Sequence, residues 1–184
     1  MLASIAVGGC GTSEADFRGI APPEGIRLPS FSLREHSGRV TRSDELQGKV
    51  VLVTFLDTQC TEACPVIAGQ IGVGLELLSP DERNRVVALA VSSDPKEDTA
   101  PSVRAFLRQH HVEGQLRYLL GSERELQPVW EAFHVLPSAD TGDDELHSAP
   151  LRIFAPDGVW VSTLHADADL TPENLAHDIR AALD

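Results

Sequence analysis

Val50-Val51-Leu52-Val53-Thr54-Phe55-Leu56 runs without a break into Asp57-Thr58-Gln59-Cys60-Thr61-Glu62-Ala63-Cys64-Pro65. The first seven residues are apolar or β-branched with no polar alternation, the pattern of a strand covered on both faces and so central in its sheet. Pro65 suits the first turn of a helix, where its missing N–H costs nothing. The spacing predicts a helix from there to about Leu78, although Gly69, Gly72 and Gly74 are poor helix formers. Two cysteines therefore fall in a strand-to-helix loop, where open α/β sheets place their ligands.

Amide dipoles at a helix N-terminus stabilise negative charge, so thiols there ionise more readily than a free thiol of pKa about 8.5. Thiolates are nucleophiles and soft metal ligands. Cys60 and Cys64 lie about one helical turn apart, close enough to chelate one ion or to close a disulfide at a Cα separation of roughly 4.4–6.8 Å. Such a pair suits Cu(I), Zn or a disulfide cycle, and a third donor decides between them.

On the N-terminal side, residues 26–33 and 39–41 are expected to form a hairpin lid across His36-Ser37-Gly38, followed by one helical turn at Ser43-Asp44-Glu45. Downstream, residues 85–91 read as a second buried strand. Residues 101–110 follow as a helix, with Val103, Phe106, Leu107 and His110 at helical spacing. Residues 116–120 make a short strand, and Ser122 with Glu125 forms a capping box opening a helix through Phe133. Two strands, 151–154 and 159–164, flank the turn Ala155-Pro156-Asp157-Gly158. Thr171-Pro172-Glu173 then caps a last helix whose Leu175, Ile179, Ala182 and Leu183 face inward. This alternation predicts an α/β sandwich with a mixed central sheet flanked by helices and an N-terminal hairpin.

The chain has 184 residues, about one domain's worth, and 42% of them are hydrophobic, enough for a sizeable core. Its formal charge of −13 opposes a grip on phosphate backbones or anionic lipid, which argues against nucleic acid as a partner. No run approaches the 18 or so apolar residues that cross a bilayer. The third cysteine, Cys10, ends the apolar stretch Leu2-Ala3-Ser4-Ile5-Ala6-Val7-Gly8-Gly9. That arrangement resembles the tail of a bacterial lipoprotein signal, in which the cysteine becomes the lipidated first residue. No Lys or Arg precedes it, so the signal reads as truncated. The expected division is a truncated lipoprotein-like signal and linker over residues 1–25, then one domain over residues 26–184. Lipidation at Cys10 would place that domain outside the cytoplasm, tethered to the membrane.

Of the seven histidines, His147 is best placed as a third donor. It precedes the strand at 151–154, in a loop that the topology should bring to the cysteines' sheet edge. The acidic run Asp140-Thr141-Gly142-Asp143-Asp144-Glu145 just before it reads as a solvated surface or a lure for cations. The other six histidines fall on helix ends, surface segments and turns, and no role is assigned to them.

Phe55, Thr58, Cys60, Cys64 and Pro65, then Ser92, Asp94, Pro95, Asp98 and Thr99, then His147-Ser148, a strand and Asp157-Gly158, form a frame that resembles the SCO/SenC family of thioredoxin-like copper chaperones. The resemblance runs from about Phe31 to Leu183. It implies a thioredoxin-like fold and copper ligation by Cys60, Cys64 and His147, as Cu(I) and also as Cu(II). It further implies delivery to the copper-bearing subunit of cytochrome c oxidase. Asp94 matches an acidic position of the family that could orient a partner or tune the site. Its bland alternative is a turn aspartate before Pro95. The chain departs from the family's pattern at Leu56-Asp57, Thr61, Glu97 and Leu146.

Only a reduced dithiol can hold the ion, and outside the cytoplasm oxidation is the default, so a thiol reductant partner is implied. A methionine-rich copper store does not compete, since the chain has one Met. Two alternatives stand beside the chaperone. One is a membrane-tethered thiol-disulfide oxidoreductase, an enzyme with Cys60 and Cys64 as its catalytic pair. The other is a binding module in which the pair is an inert disulfide.

Overall fold

The computed structural model describes residues 16–135 and 150–184. Its frame is a seven-stranded mixed sheet in the order β2-β1-β5-β4-β3-β6-β7. β3 (Val50–Leu56) is buried at every position and lies between β4 (Val86–Ser92), parallel to it, and β6 (Leu151–Phe154), antiparallel. β5 (Leu116–Leu120) continues the parallel set beyond β4. The hairpin of β1 (Ser32–Glu35) and β2 (Val40–Arg42) adds antiparallel to β5, and β7 (Trp160–Leu164) adds antiparallel to β6.

The missing polar alternation in β3 has its cause in two cores, one on each face of the sheet. Leu52 and Leu56 face a core built from α1 (Ala63–Glu76), α3 (Ala100–Gln109) and α5 (Pro172–Leu183). Val51, Val53 and Phe55 face a second core with α4 (Glu123–Phe133) and the 3-10 turn Ser43–Leu46. The α/β sandwich with a mixed sheet is therefore present as expected. A four-residue helix, α2 (Pro80–Arg83), had no counterpart in the sequence reading; a capping box of Ser79 and Glu82 starts it.

Two of the glycines that weaken the reading of α1 as a helix are there for packing. A Cβ at Gly72 would meet Val112 Cγ1 at 2.8 Å, and one at Gly74 would meet Leu175 Cδ2 at 2.8 Å. The helix gives up propensity so that α5 and the loop after α3 can approach it.

The N-terminal segment differs from expectation. The strand expected over 26–33 is confined to Ser32–Glu35. Before it, Leu28 N–H donates to Gly158 O at 2.8 Å and Trp160 N–H to Ile26 O at 2.9 Å, so this stretch pairs with the start of β7 instead. Within the segment read as a linker, Ile20 exchanges two backbone hydrogen bonds with Thr163, at 2.8 and 3.0 Å. The fully buried carboxylate of Asp178 accepts the N–H groups of Arg18 at 2.8 Å and Gly19 at 3.0 Å, and the Ser162 hydroxyl at 2.6 Å. A segment without hydrophobic period is thus held by backbone pairing, by the Asp178 and Asn174 side chains and by Phe17 packed on the core.

A second buried charge sits in the other core. Arg152 of β6 lies among the rings of Phe55, Phe133 and Trp160, with its guanidinium carbon 5.3–5.9 Å from the ring centroids. Its Nη2 donates to Phe133 O at 3.0 Å. Burial lowers its pKa to about 10.

Candidate metal centre

The loop from β3 to α1 puts both cysteines at the head of α1. Glu62, the residue capping that helix, supplies no side-chain acceptor. The sulfur of Cys60 takes that role and accepts the Cys64 N–H at 3.3 Å. Both cysteines are free; Cys60 is half-buried and Cys64 is only 4% exposed.

The two thiols are driven apart in acidity. The Cys64 S–H donates to Cys60, and the N–H groups of Cys64, Glu62 and Ala63 add to it against the cost of burial. Together they lower the Cys60 pKa to about 5. Cys60 is therefore a thiolate at neutral pH. Cys64 is pushed far up, first by the hydrogen bond it gives to Cys60 and then by burial. A half-buried thiolate beside a buried thiol is an asymmetric pair.

A cleft of about 400 Å³ opens beside Cys60, walled by Thr58, Gln59, Thr61 and Pro65 on one side and by α3 on the other. Phe106 and His110 line its far wall, their ring centroids 4.5 Å apart. Burial lowers the pKa of His110, which favours a neutral imidazole.

Acidic residues crowd the floor of the site. Asp57 accepts Gln59 N–H at 2.6 Å. Its pKa is raised by burial, partly offset by that bond, and raised further by Asp98, Asp94 and Cys60. Asp98 accepts Thr58 N–H at 2.9 Å, Ser92 Oγ–H at 2.6 Å and Tyr118 Oη–H at 2.8 Å. Its pKa is raised by burial against those bonds. Asp94 accepts the N–H groups of Lys96 at 3.0 Å and Glu97 at 3.4 Å, which is a turn role.

Residues 23–184 match the sequence profile of SCO1/SenC. The chain belongs to the SCO1/SenC family. Among its relatives are a SCO2-like protein of Rickettsia felis, 28% identical over 62% of this chain and 55% of that one, and the mitochondrial SCO2 homologue of Bos taurus, 28% identical over 71% and 50%. The chain thus spans about half the length of these curated relatives. Bradyrhizobium japonicum ScoI, solved with copper bound, is 26% identical, with a TM-score of 0.69 over 84% of this chain and 98% of that one. Apo Sco1 of Thermus thermophilus, 24% identical with a TM-score of 0.74 over 93% and 99%, shows the same fold. That fold is thioredoxin-like, as the SCO/SenC resemblance implied.

Of the expected site residues, Cys60 and Cys64 are brought together. His147, the acidic run at 140–145 and Cys10 lie outside the described residues. Among the described residues, no group of three His, Cys, Asp or Glu side chains is placed to hold a metal. No helix of the described residues is long and apolar enough to cross a membrane. Ser92 and Asp98 belong to the frame that resembles SCO/SenC, but their meeting with Tyr118 in one cluster was not foreseen, because the three are far apart in the chain. Asp98 also carries a local signal, a carboxylate immediately before the Thr99 cap of α3.

Proposed function

We propose that this protein is an extracytoplasmic copper chaperone, which binds copper through Cys60, Cys64 and His147 and delivers it to the copper centre of cytochrome c oxidase. One observation carries the reading: a thiolate and a thiol meet at the head of α1, in a chain whose relative ScoI is described with copper bound. Two sulfurs form a soft donor set that suits Cu(I), and a neutral imidazole would complete a low-coordinate site able to take Cu(II) as well. Cys60 is ready to bind at neutral pH, while Cys64 would release its proton to solvent as its sulfur takes the metal. The cleft beside Cys60 leaves one side open to an incoming ligand, so the ion can leave by ligand exchange. A thiol reductant partner keeps the pair reduced, and a lipid on Cys10 would tether the domain to the membrane.

The asymmetric thiols also favour a second reading as a thiol-disulfide oxidoreductase. There the Cys60 thiolate attacks one sulfur of a substrate disulfide, forming a mixed disulfide and releasing a thiolate that takes up a proton. Cys64 then loses its proton, attacks the Cys60 sulfur and releases the second substrate thiol. The substrate gains two electrons and the protein pair ends as a disulfide.

Replacing His147 separates the two. For His147→Ala in the full chain, copper affinity falls at least about tenfold while the dithiol still reduces a small disulfide substrate. Unchanged copper affinity would remove His147 from the ligand set. Copper binding absent from the parent protein as well would promote the oxidoreductase.

A further inference from the structure

Asp98 is 6% exposed and sits under the dithiol loop, bonded to Thr58, Ser92 and Tyr118. Its Oδ1 accepts the Thr58 N–H, two residues before Cys60, across 40 positions of chain. Its Oδ2 takes Ser92 at the end of β4 and Tyr118 in β5. Tyr118 is fully buried, and its oxygen also lies 2.7 Å from Leu56 O at the end of β3. One carboxyl group thereby ties the C-terminal end of β3, the loop, the end of β4 and β5 into a single unit.

The geometry points to Asp98 as the positioning residue of the working thiol. Cys60 takes the Cys64 N–H only if the loop holds its sulfur over the head of α1. The neighbouring hydrogen bonds within the loop are short-range, among them Asp57 to Gln59, Thr58 to Gln59, and Cys60 to Cys64. The bond from Thr58 to Asp98 anchors that otherwise local arrangement to the sheet. Asp98 acts through the Thr58 amide, so what matters is an oxygen at that point, and its charge is secondary. Both readings of the function employ the same thiol pair, and the inference rests on that pair alone.

The test uses copper-free, reduced full chain, so it is independent of whether copper is the cargo. Iodoacetamide at neutral pH should label Cys60 in strong preference to Cys64, read by peptide mass spectrometry. Asp98→Ala should lower the Cys60 rate about tenfold and erode that preference, because the sulfur loses its place at the helix dipole. Asp98→Asn keeps an oxygen for Thr58 N–H and should stay within about threefold of the parent rate. An Asp98→Ala variant with parent rate and preference would overturn the inference. So would an Asp98→Asn variant that falls as far as Asp98→Ala, since charge and not position would then be responsible. If Asp98→Ala does not fold, the parent protein still decides by amide exchange. The Thr58 N–H should be protected at least about a hundredfold over the unfolded chain, and an unprotected Thr58 amide would overturn the inference.

Discussion

The Cys60 sulfur accepts the Cys64 backbone N–H at 3.3 Å, so a reactive side chain serves as the cap of the helix that activates it. Capping and acidity are one interaction here. The helix keeps only a weak acceptor if the sulfur is protonated, and the sulfur loses its stabilisation if the helix head moves.

That coupling sets a pH profile. Cys60 has its pKa lowered to about 5, so its alkylation rate should be nearly flat through neutral pH and fall as pH drops through about 5. Cys64→Ala removes the S–H donor, the largest cause of the lowering, and should move the midpoint upward while leaving the backbone donors in place. Stopped-flow alkylation across pH measures both. A parent profile with its midpoint near the ordinary thiol value of about 8.5 would show that the helix head does not activate Cys60.

Asp57 offers a stability test of opposite sign. Its pKa is raised first by burial and then by Asp98, Asp94 and the Cys60 thiolate, so its ionised form is disfavoured in the folded state. A group with a raised folded pKa costs stability once pH exceeds its unfolded value, and the cost disappears below that value. Asp57→Asn keeps an acceptor for Gln59 N–H and should raise the urea midpoint at neutral pH. The difference should fade below about pH 4. A lower midpoint at neutral pH would mean that the charge is compensated.

Gly69 and Gly74 should respond in opposite directions within one helix. A Cβ at Gly69 meets nothing within 4 Å, so Gly69→Ala should stabilise by about 0.5–1 kcal/mol. At Gly74 the added carbon would lie 2.8–3.3 Å from three atoms of Leu175, and Gly74→Ala should cost about 1–2 kcal/mol after its gain in propensity. Urea denaturation of the two variants checks the pair.

Asp178 should hold the N-terminal strap. Asp178→Ala leaves the N–H groups of Arg18 and Gly19 and the Ser162 hydroxyl without their acceptor, at a cost of about 3 kcal/mol. Limited proteolysis should then cut near Ile20 before the sheet unfolds. Cleavage at the parent rate would show that the strap is held without Asp178, by Thr163, Asn174 and the packing of Phe17.

What could be read from the sequence divides by range. β3 was legible because burial on both faces leaves a local pattern, and the thiol pair was legible because its spacing is one helical turn. Capping boxes at Ser122 and Thr171's cap fixed helix starts for the same reason, each being contained within four residues. Ile26 and Leu28 read as part of the first strand because their apolar character says nothing about which edge they join; they meet Gly158 and Trp160 instead. Arg152 and Asp178 were silent, and Asp98 stood in the family frame without a role, because a buried ionisable group is defined by its partners, and the partners of Asp178 include Arg18, 160 positions away. The distal ligand expected at His147 is of this long-range kind.

Anaerobic titration of the reduced full chain with Cu(I), against a competing chelator and with X-ray absorption at the copper edge, tests the central claim most directly. The account predicts one copper per chain held by two sulfurs and one nitrogen, with the nitrogen lost in His147→Ala. A chain that leaves the copper on the chelator, or holds it with sulfur alone and no change on replacing His147, would contradict it.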